Sequence, residues 1–566
     1  MKKSTRKHRA LRNTLTILGA IVLFCIVAAI IGLSRSNAGR VREYKYTEGA
    51  RTIMDTQNQG VGSVEVSTLK LDKSMSVQRA SYSFSGRVLV VTCDGSQTVI
   101  SSVNDDGTDL IEIYRGTSRG GSRLLPFQDN TRILMGDSVL ECPEGYNLDN
   151  CPKDAAKMVP IVFPDAFVKG ANIVDRWTEV IIAPDNEHMA WTIRRSDCGA
   201  VNAMGRLVRT ENSYVIEDAQ YISNMNAFQP DPDHEGLYLY TPEIGGEVKQ
   251  FIHGGRAISL VGAAPCGMAD SIVQDIATGE VTLITCNPGY DETTIFSPDE
   301  KLGIVMTTRF SASTDMAVLG LVPRPYGEVL HNILGQVYMY GVTGVRSSRE
   351  GNIGPALINI EKSQTEEGYM GLNLSDPDGV WMYNSPMSWK SDGTAAMWME
   401  REKGGNGVRV QIVKLLDYQP LEAVTAEATP AVGDYAREPA ALGSYDVKIQ
   451  GAASGFVTIT KKTGFLNKAT VTAVYDHYSD DGRVYIHGTE TSSGSVTSKT
   501  TYTSRLELTD PEGNSLGRMD VDLAMSAAYS IGSLFRGNTS PVLNKRITSG
   551  TAVWGDAKAD TASLVP

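Results

Sequence analysis

The chain has 566 residues, with 53 Lys and Arg against 65 Asp and Glu, a formal charge of −12. At 41% hydrophobic and 21% charged it has the composition of folded domains, roughly three to four of them by length. This excludes a mainly disordered, collagen-like or multi-span membrane chain. Beyond the first dozen residues there is no basic stripe of the kind a nucleic-acid binder carries, so no nucleic-acid partner is expected.

Residues 1–13 hold Lys2, Lys3, Arg6, Lys7, Arg9 and Arg12 and no acid, and Thr14–Leu33 then carries no charge. Such a run makes about 30 Å of helix, the thickness of a bilayer core. A central charge would cost roughly 2.5–3.5 kcal/mol, so its absence is informative. Fewer basic residues follow the span (Arg35, Arg40, Arg42), so the positive-inside rule puts the amino terminus in the cytoplasm and the bulk outside it. Ser36 and Ala38 would suit a signal-peptidase site instead. The apolar run is longer than the usual h-region of about 7–15 residues, which favours an uncleaved signal anchor. The expected protein is single-pass and extracytoplasmic, with the membrane as a partner through residues 14–33.

In that compartment Cys93, Cys142, Cys151, Cys198, Cys266 and Cys286 could form disulfides. Cys142 and Cys151 flank the turn-rich PEGYNLDN, and Cys266–Cys286 is a second candidate pair. There is no C-x-x-C, and no His lies at ligand spacing to these thiols, so no metal site is expected from them.

Residues 34–79 read as a polar stalk. From about residue 80, short Val/Ile/Leu/Tyr runs alternate with DG, GG and TG turns, the signature of successive hairpins. The best helix candidate, YGEVLHNILGQ at 326–336, is short. One phrase recurs: IAPDNEHMAWT at 182–192, FSPDEKLGIVM at 296–306 and WKSDGTAAMWM at 389–399, with a worn copy, PFQDNTRILMG, at 126–136. Each reads as a strand, an Asx turn and a second strand. Asp129 to Asp185 spans 56 residues, Asp185 to Asp299 spans 114, and Asp299 to Asp392 spans 93. These steps suit one, two and two shorter units of four short strands, as in radial blades.

The Ser-Pro-Asp-Gly-type phrase resembles the repeat of TolB-type β-propellers. ATGEVTLIT and PEIGGEVKQFIHGG resemble the outer hairpin preceding that phrase in the family. The resemblance covers about residues 80–425 and departs from the pattern at Asn186 and Glu300, where Gly is usual. Copies near residues 240 and 345 are not recognisable. It implies a six- or seven-bladed ring with a central channel, often used for protein contact or small-ligand binding, and no single chemistry.

Residues 426–440 read as a linker, 441–550 as a small β-sandwich with a strong hairpin at Asp480-Asp481-Gly482, and 551–566 as a loose tail. The expected fold class is therefore all-β: a propeller, then a sandwich, behind one N-terminal transmembrane helix.

Several motifs imitate catalytic signatures. Gly116-Thr117-Ser118-Arg119-Gly120 fits the nucleophile elbow, but no helix pattern follows it. Gly136-Asp137-Ser138 resembles the start of an esterase block without the α/β layering that block needs. Asp231, Asp233 and Glu235 imitate a Ca²⁺ loop, but Pro242 stands where the bidentate Glu is required. His8, His188, His234, His253, His331, His477 and His487 show no H-x-H or HExxH spacing. No catalytic residue, metal or cofactor is expected. Trp191, Trp389 and Trp398 occupy repeat positions and read as core. Arg176, Trp177, Trp381 and Tyr383 lie where loops reach a propeller face, and are the candidate ligand-binding residues. The function expected is non-catalytic binding or scaffolding of a protein or glycan; the alternative is a carbohydrate-active lyase or hydrolase at the propeller mouth.

Overall fold

Side-chain alternation sets the strands. Val64–Thr68 is buried at every second residue, whereas Leu302–Thr307 is buried along its whole length, as a strand covered on both faces must be. The computed structural model describes residues 42–117, 123–170, 172–195, 199–225, 228–240, 243–263, 269–286, 291–310, 353–439, 444–464, 468–494, 500–525 and 550–560. The predicted anchor at 14–33, the helix candidate at 326–336 and Ser118 lie outside these residues. Among the described residues no helix is long and apolar enough to cross a membrane.

Six antiparallel sheets follow one another among the described residues. The first is Ser76–Tyr82, Val88–Asp94, Gln97–Val103 and Ile111–Gly116. The second is Leu125–Pro126, Arg132–Met135, Ser138–Glu141 and Lys157–Val162. The third is Ile173–Ile182, His188–Arg195, Gly199–Arg209 and Tyr214–Tyr221, joined to the second by a parallel pairing of Ile161 and Val162 with Tyr214 and Val215. The fourth is Glu247–Ile252, Ala257–Ala263, Ala269–Asp275 and Val281–Leu283. The fifth is Asp291–Phe296, Leu302–Thr307, Gly354–Asn359 and Leu372–Asn373. The sixth, Trp381–Trp389, Ala395–Glu402 and Gly407–Leu415, takes its next strand from the other end of the chain, Val64–Thr68, with Ala50–Ile53 outside it.

Successive sheets share apolar clusters, and the series returns on itself. The second and third meet around Phe127, Leu134, Trp191 and Ile193; the fifth and sixth around Ile304, Leu357, Trp389 and Trp398. The sixth and first close the cycle through Met397, Val408, Val77 and Val90. The architecture is that of a β-propeller-like ring. Trp191, Trp389 and Trp398 are buried in these clusters, as their repeat positions predict. Truncating such a residue to Ala would cost about 3–5 kcal/mol.

Each copy of the repeated phrase forms the turn between the first two strands of a sheet. Asp129, Asp185, Asp299 and Asp392 all accept backbone N–H groups two residues on, at 2.8–3.2 Å. Among the described residues the 93-residue step holds one sheet, the fifth, whose second strand ends at Thr307 and whose third begins at Gly354. ATGEVTLIT lies at an outer turn as expected, but Glu247–Ile252 of the second segment is the innermost strand of the fourth sheet.

Other boundaries move too. Much of the predicted stalk is built into the ring, because a sheet closed by its N-terminal strand gains the hydrogen bonds its last edge would lack. Among the described residues the carboxyl-terminal segment forms one sheet, not the two of the expected sandwich. Tyr445–Gln450, Ser454–Thr463, Ala469–Ser479, Tyr485–Gly494, Thr500–Thr509, Ser515–Met525, Gly550–Trp554 and Ala557–Asp560 form one meander in chain order. Its inward residues share a single core, including Val457, Tyr475, Tyr502 and Val521, so the sheet curls on itself. The predicted loose tail begins with that sheet's last hairpin. A hairpin of Phe228–Pro230 and Tyr238–Tyr240, between the third and fourth sheets, packs on the same core, with the Phe228 and Tyr445 rings 5.2 Å apart.

Candidate functional site

The innermost strands of all six sheets surround one cavity of about 310 Å³. Its wall interleaves hydroxyls and amides (Ser81, Ser83, Gln128, Gln250, Ser297) with rings (Phe84, Phe251, Trp389). The Asx turns set one rim, and the chain itself crosses that rim. After the sixth sheet, residues 418–437 run over the turns: the Leu421 N–H donates to Asp299 Oδ2 at 3.0 Å, Val424 to the Pro298 carbonyl at 2.8 Å, Glu427 to Gly254 at 2.8 Å and Thr429 to Asp185 Oδ2 at 3.2 Å. Ala423 and Val424 thereby form part of the cavity wall. The predicted linker at 426–440 is thus a hydrogen-bonded strap, tied further by Gly433 to Ile276 and Arg437 to Ser223.

Two cations reach the same wall. Lys249, 4% exposed, has its Nζ 2.8 Å from Glu247 and 4.0 Å from Glu292. Arg123 donates to the Lys249 carbonyl at 2.7 Å and stands 3.8 Å from Glu179. Burial alone would lower the Lys249 ammonium; the charges of Glu247, Glu179 and Glu292 outweigh it and hold the group well above its ordinary value. Sequence reading missed this cluster. Its only local signal is the Glu247/Lys249 pair inside an apolar strand pattern, EVKQFI; Glu179 and Glu292 come from other sheets.

The structure does not gather the predicted ligand residues. Arg176 lies on the innermost strand of the third sheet, over the Phe163 ring at 4.3 Å and paired with Asp137; burial pushes its guanidinium down to about 10. Trp177 follows on that strand, and its side chain falls outside the described residues. Trp381 starts the innermost strand of the sixth sheet, under Arg409 at 4.3 Å, and that Arg is held by Glu400 at 2.6 Å and Asp376 at 3.1 Å. Tyr383 is 4% exposed within the core between the fifth and sixth sheets. Tyr383 thus packs in the core and Trp381 against Arg409, on a different sheet from Arg176.

Cys142 and Cys151 come together beside the core between the first and second sheets, but as unbonded thiols. The stapled loop is thus corrected to two packed thiols, the eight-residue segment between them being held by its own turns and by Leu148 in the core. Cys266 lies outside the described residues, and the Cys266–Cys286 pairing with it. Asp137 lies in a hairpin turn and Ser138 opens its second strand, and Asp231 caps a turn through the Asp233 N–H, so neither motif builds a catalytic group. Among the described residues no three His, Cys, Asp or Glu gather at metal-ligand reach.

No family model matches the chain, and no curated protein matches it. Similar solved structures include a putative TolB from Agrobacterium tumefaciens, at 11% identity over 56% of this chain and 84% of that one, TM-score 0.32. TolB from Acinetobacter baumannii follows at 11% identity over 60% and 66%, TM-score 0.28. An oligogalacturonate lyase from Vibrio parahaemolyticus is 8% identical over 65% and 97%, TM-score 0.33. TolB proteins thus stand among the structural neighbours, alongside a lyase, and the likeness does not choose between binding and catalysis.

Proposed function

We propose that the chain is a membrane-tethered, extracytoplasmic six-bladed propeller that binds a glycan or a protein segment in its axial cavity without transforming it. The cavity wall carries this reading: hydroxyls, amides and aromatic rings alternate around one axis, the lining that recognises sugars and extended peptides. Ala423 and Val424 of the strap stand in that wall at the rim of the Asx turns, so a ligand bound there would touch the strap. The six blades are the six sheets with their shared clusters. The tether is Thr14–Leu33, with the basic residues 2–12 on the cytoplasmic side.

A thermal-shift screen of the purified chain against oligosaccharides and peptides tests the binding. A ligand at about 100 times its dissociation constant stabilises by roughly 2.7 kcal/mol. Saturable stabilisation with the ligand recovered intact supports the proposal; recovery of cleaved saccharide would replace it with the carbohydrate-active reading. Protease digestion of intact cells tests the tether, and a bulk domain protected from external protease once any outer envelope is opened would refute it.

A further inference from the structure

The outer face of the C-terminal sheet carries two imidazoles that the axial cavity does not use. The pairing of Ala469–Ser479 with Tyr485–Gly494 shifts register between Tyr475 and Tyr478. Inside that bulge His477 takes φ 51°, the left-handed region, which costs a residue bearing a side chain. Bulges re-aim side chains. Here Nδ1 of His477 lies 3.3 Å from Nε2 of His487. The Tyr485 ring stacks on the His477 ring at 4.5 Å and fixes its plane.

We propose that His477 and His487 form a surface site for a divalent transition metal of the zinc type. A tetrahedral ion about 2.0–2.1 Å from each of two nitrogens holds them about 3.4 Å apart. The observed separation of 3.3 Å meets that distance. On binding, the proton shared between the facing nitrogens moves to the far nitrogen of its own ring, and each ring presents a lone pair to the metal. No other described histidine is arranged this way: His188, His234 and His253 each face a carboxylate, of Asp185, Asp231 and Glu300.

The ladder supplies a third donor. Glu507 stands opposite His487, while their neighbours Ile486 and Leu508 turn into the core, so His487 and Glu507 share the outer face. Glu507 is exposed and makes no hydrogen bond or ion pair among the described residues. A rotamer change brings it towards the ion, and water completes the shell. Two fixed ligands and one recruited ligand make an exchangeable site.

The test uses the full chain, stripped with a chelator and titrated with Zn²⁺ against a chromogenic zinc indicator. The expected result is one equivalent bound per chain, weakened tenfold or more by His487→Gln and unchanged by His234→Gln. Unchanged affinity in His487→Gln, or no binding in the unaltered chain, overturns the proposal. A second measurement needs no variant: diethylpyrocarbonate labelling read by mass spectrometry. Zn²⁺ should protect His477 and His487 and leave His253 open. Equal labelling of the pair with and without Zn²⁺ overturns the site even if the variant fails to fold.

Discussion

Glu300 ties the Asx turn of the fifth sheet to its neighbour: its carboxylate accepts the His253 backbone N–H at 2.5 Å and faces His253 Nδ1 at 2.6 Å. Asn186 does the same between the third and second sheets, accepting the Gln128 N–H at 2.7 Å. Both residues have left-handed backbones, φ 57° and 63°, at the places where the TolB-type phrase usually has Gly. The departures from the repeat are thus stitches between blades; Glu300 holds its stitch against backbone strain of about 1–2 kcal/mol, while Asn186 tolerates the left-handed region at less cost.

That balance predicts an order. Glu300→Ala loses the stitch and keeps the strain, whereas Glu300→Gly loses the stitch and relieves it. A charge-assisted hydrogen bond is worth about 1.5–3 kcal/mol, less where the partner is half exposed, as His253 is. Calorimetry should rank the melting temperatures as native, then Gly, then Ala. A Gly variant melting at or above the native chain would remove the stitch from the account.

Asp185 fastens the strap. Burial would raise its carboxyl, but hydrogen bonds from His188, Glu187 and Thr429 win and hold it well below the usual carboxylate range. A carboxyl depressed on folding stabilises fully above its unfolded value of about 3.9 and loses that contribution as pH falls through the folded value. The melting difference between the native chain and Asp185→Asn should be constant from pH 8 to 5 and shrink towards pH 2. Hydrogen exchange at Thr429 should quicken in the variant at pH 7, and unchanged exchange there would mean the strap is held elsewhere.

How far the sequence carries depends on range. The four Asx turns and the buried Trp191 and Trp398 are written in local spacing and alternation, and they sit where that pattern puts them. Ring closure is not local: Val64 meets Leu415 across most of the chain, so residues 34–79 look like a stalk until the pairing is known. The same holds for Lys249 with Glu179, and for His477 with His487, which lie ten residues apart and meet only through strand register. Arg176 with Trp177, and Trp381 with Tyr383, look like groups that loops could bring to one face, but they stand on the third and sixth sheets, and Arg176 and Trp381 each pack on partners of their own.

Lys249 is the charge on which the cavity wall balances. Removing one partner of a buried charged cluster leaves the others uncompensated and costs roughly 3–5 kcal/mol. Lys249→Met leaves Glu247, Glu179 and Glu292 facing one another. The urea midpoint should fall sharply, and adding Glu247→Gln should restore part of the loss. A Lys249→Met chain as stable as the native one would show that the carboxylates are solvated from the channel and that the cluster is not closed.

Cys142 and Cys151 should be poor nucleophiles as folded. Burial pushes the Cys142 thiol up, and its hydrogen bond to Cys151 adds to the shift; burial also raises Cys151, with the bond it accepts from Cys142 opposing it. The thiolate is the reactive species, so a raised thiol alkylates slowly near neutral pH. At pH 8, iodoacetamide should label both at least tenfold more slowly in the folded chain than in urea, with the folded rate still rising beyond pH 9. Fast labelling in the folded state would place the pair at the surface. A Cys142–Cys151 cross-linked peptide from the chain isolated without reductant would restore the staple that the spacing alone suggests.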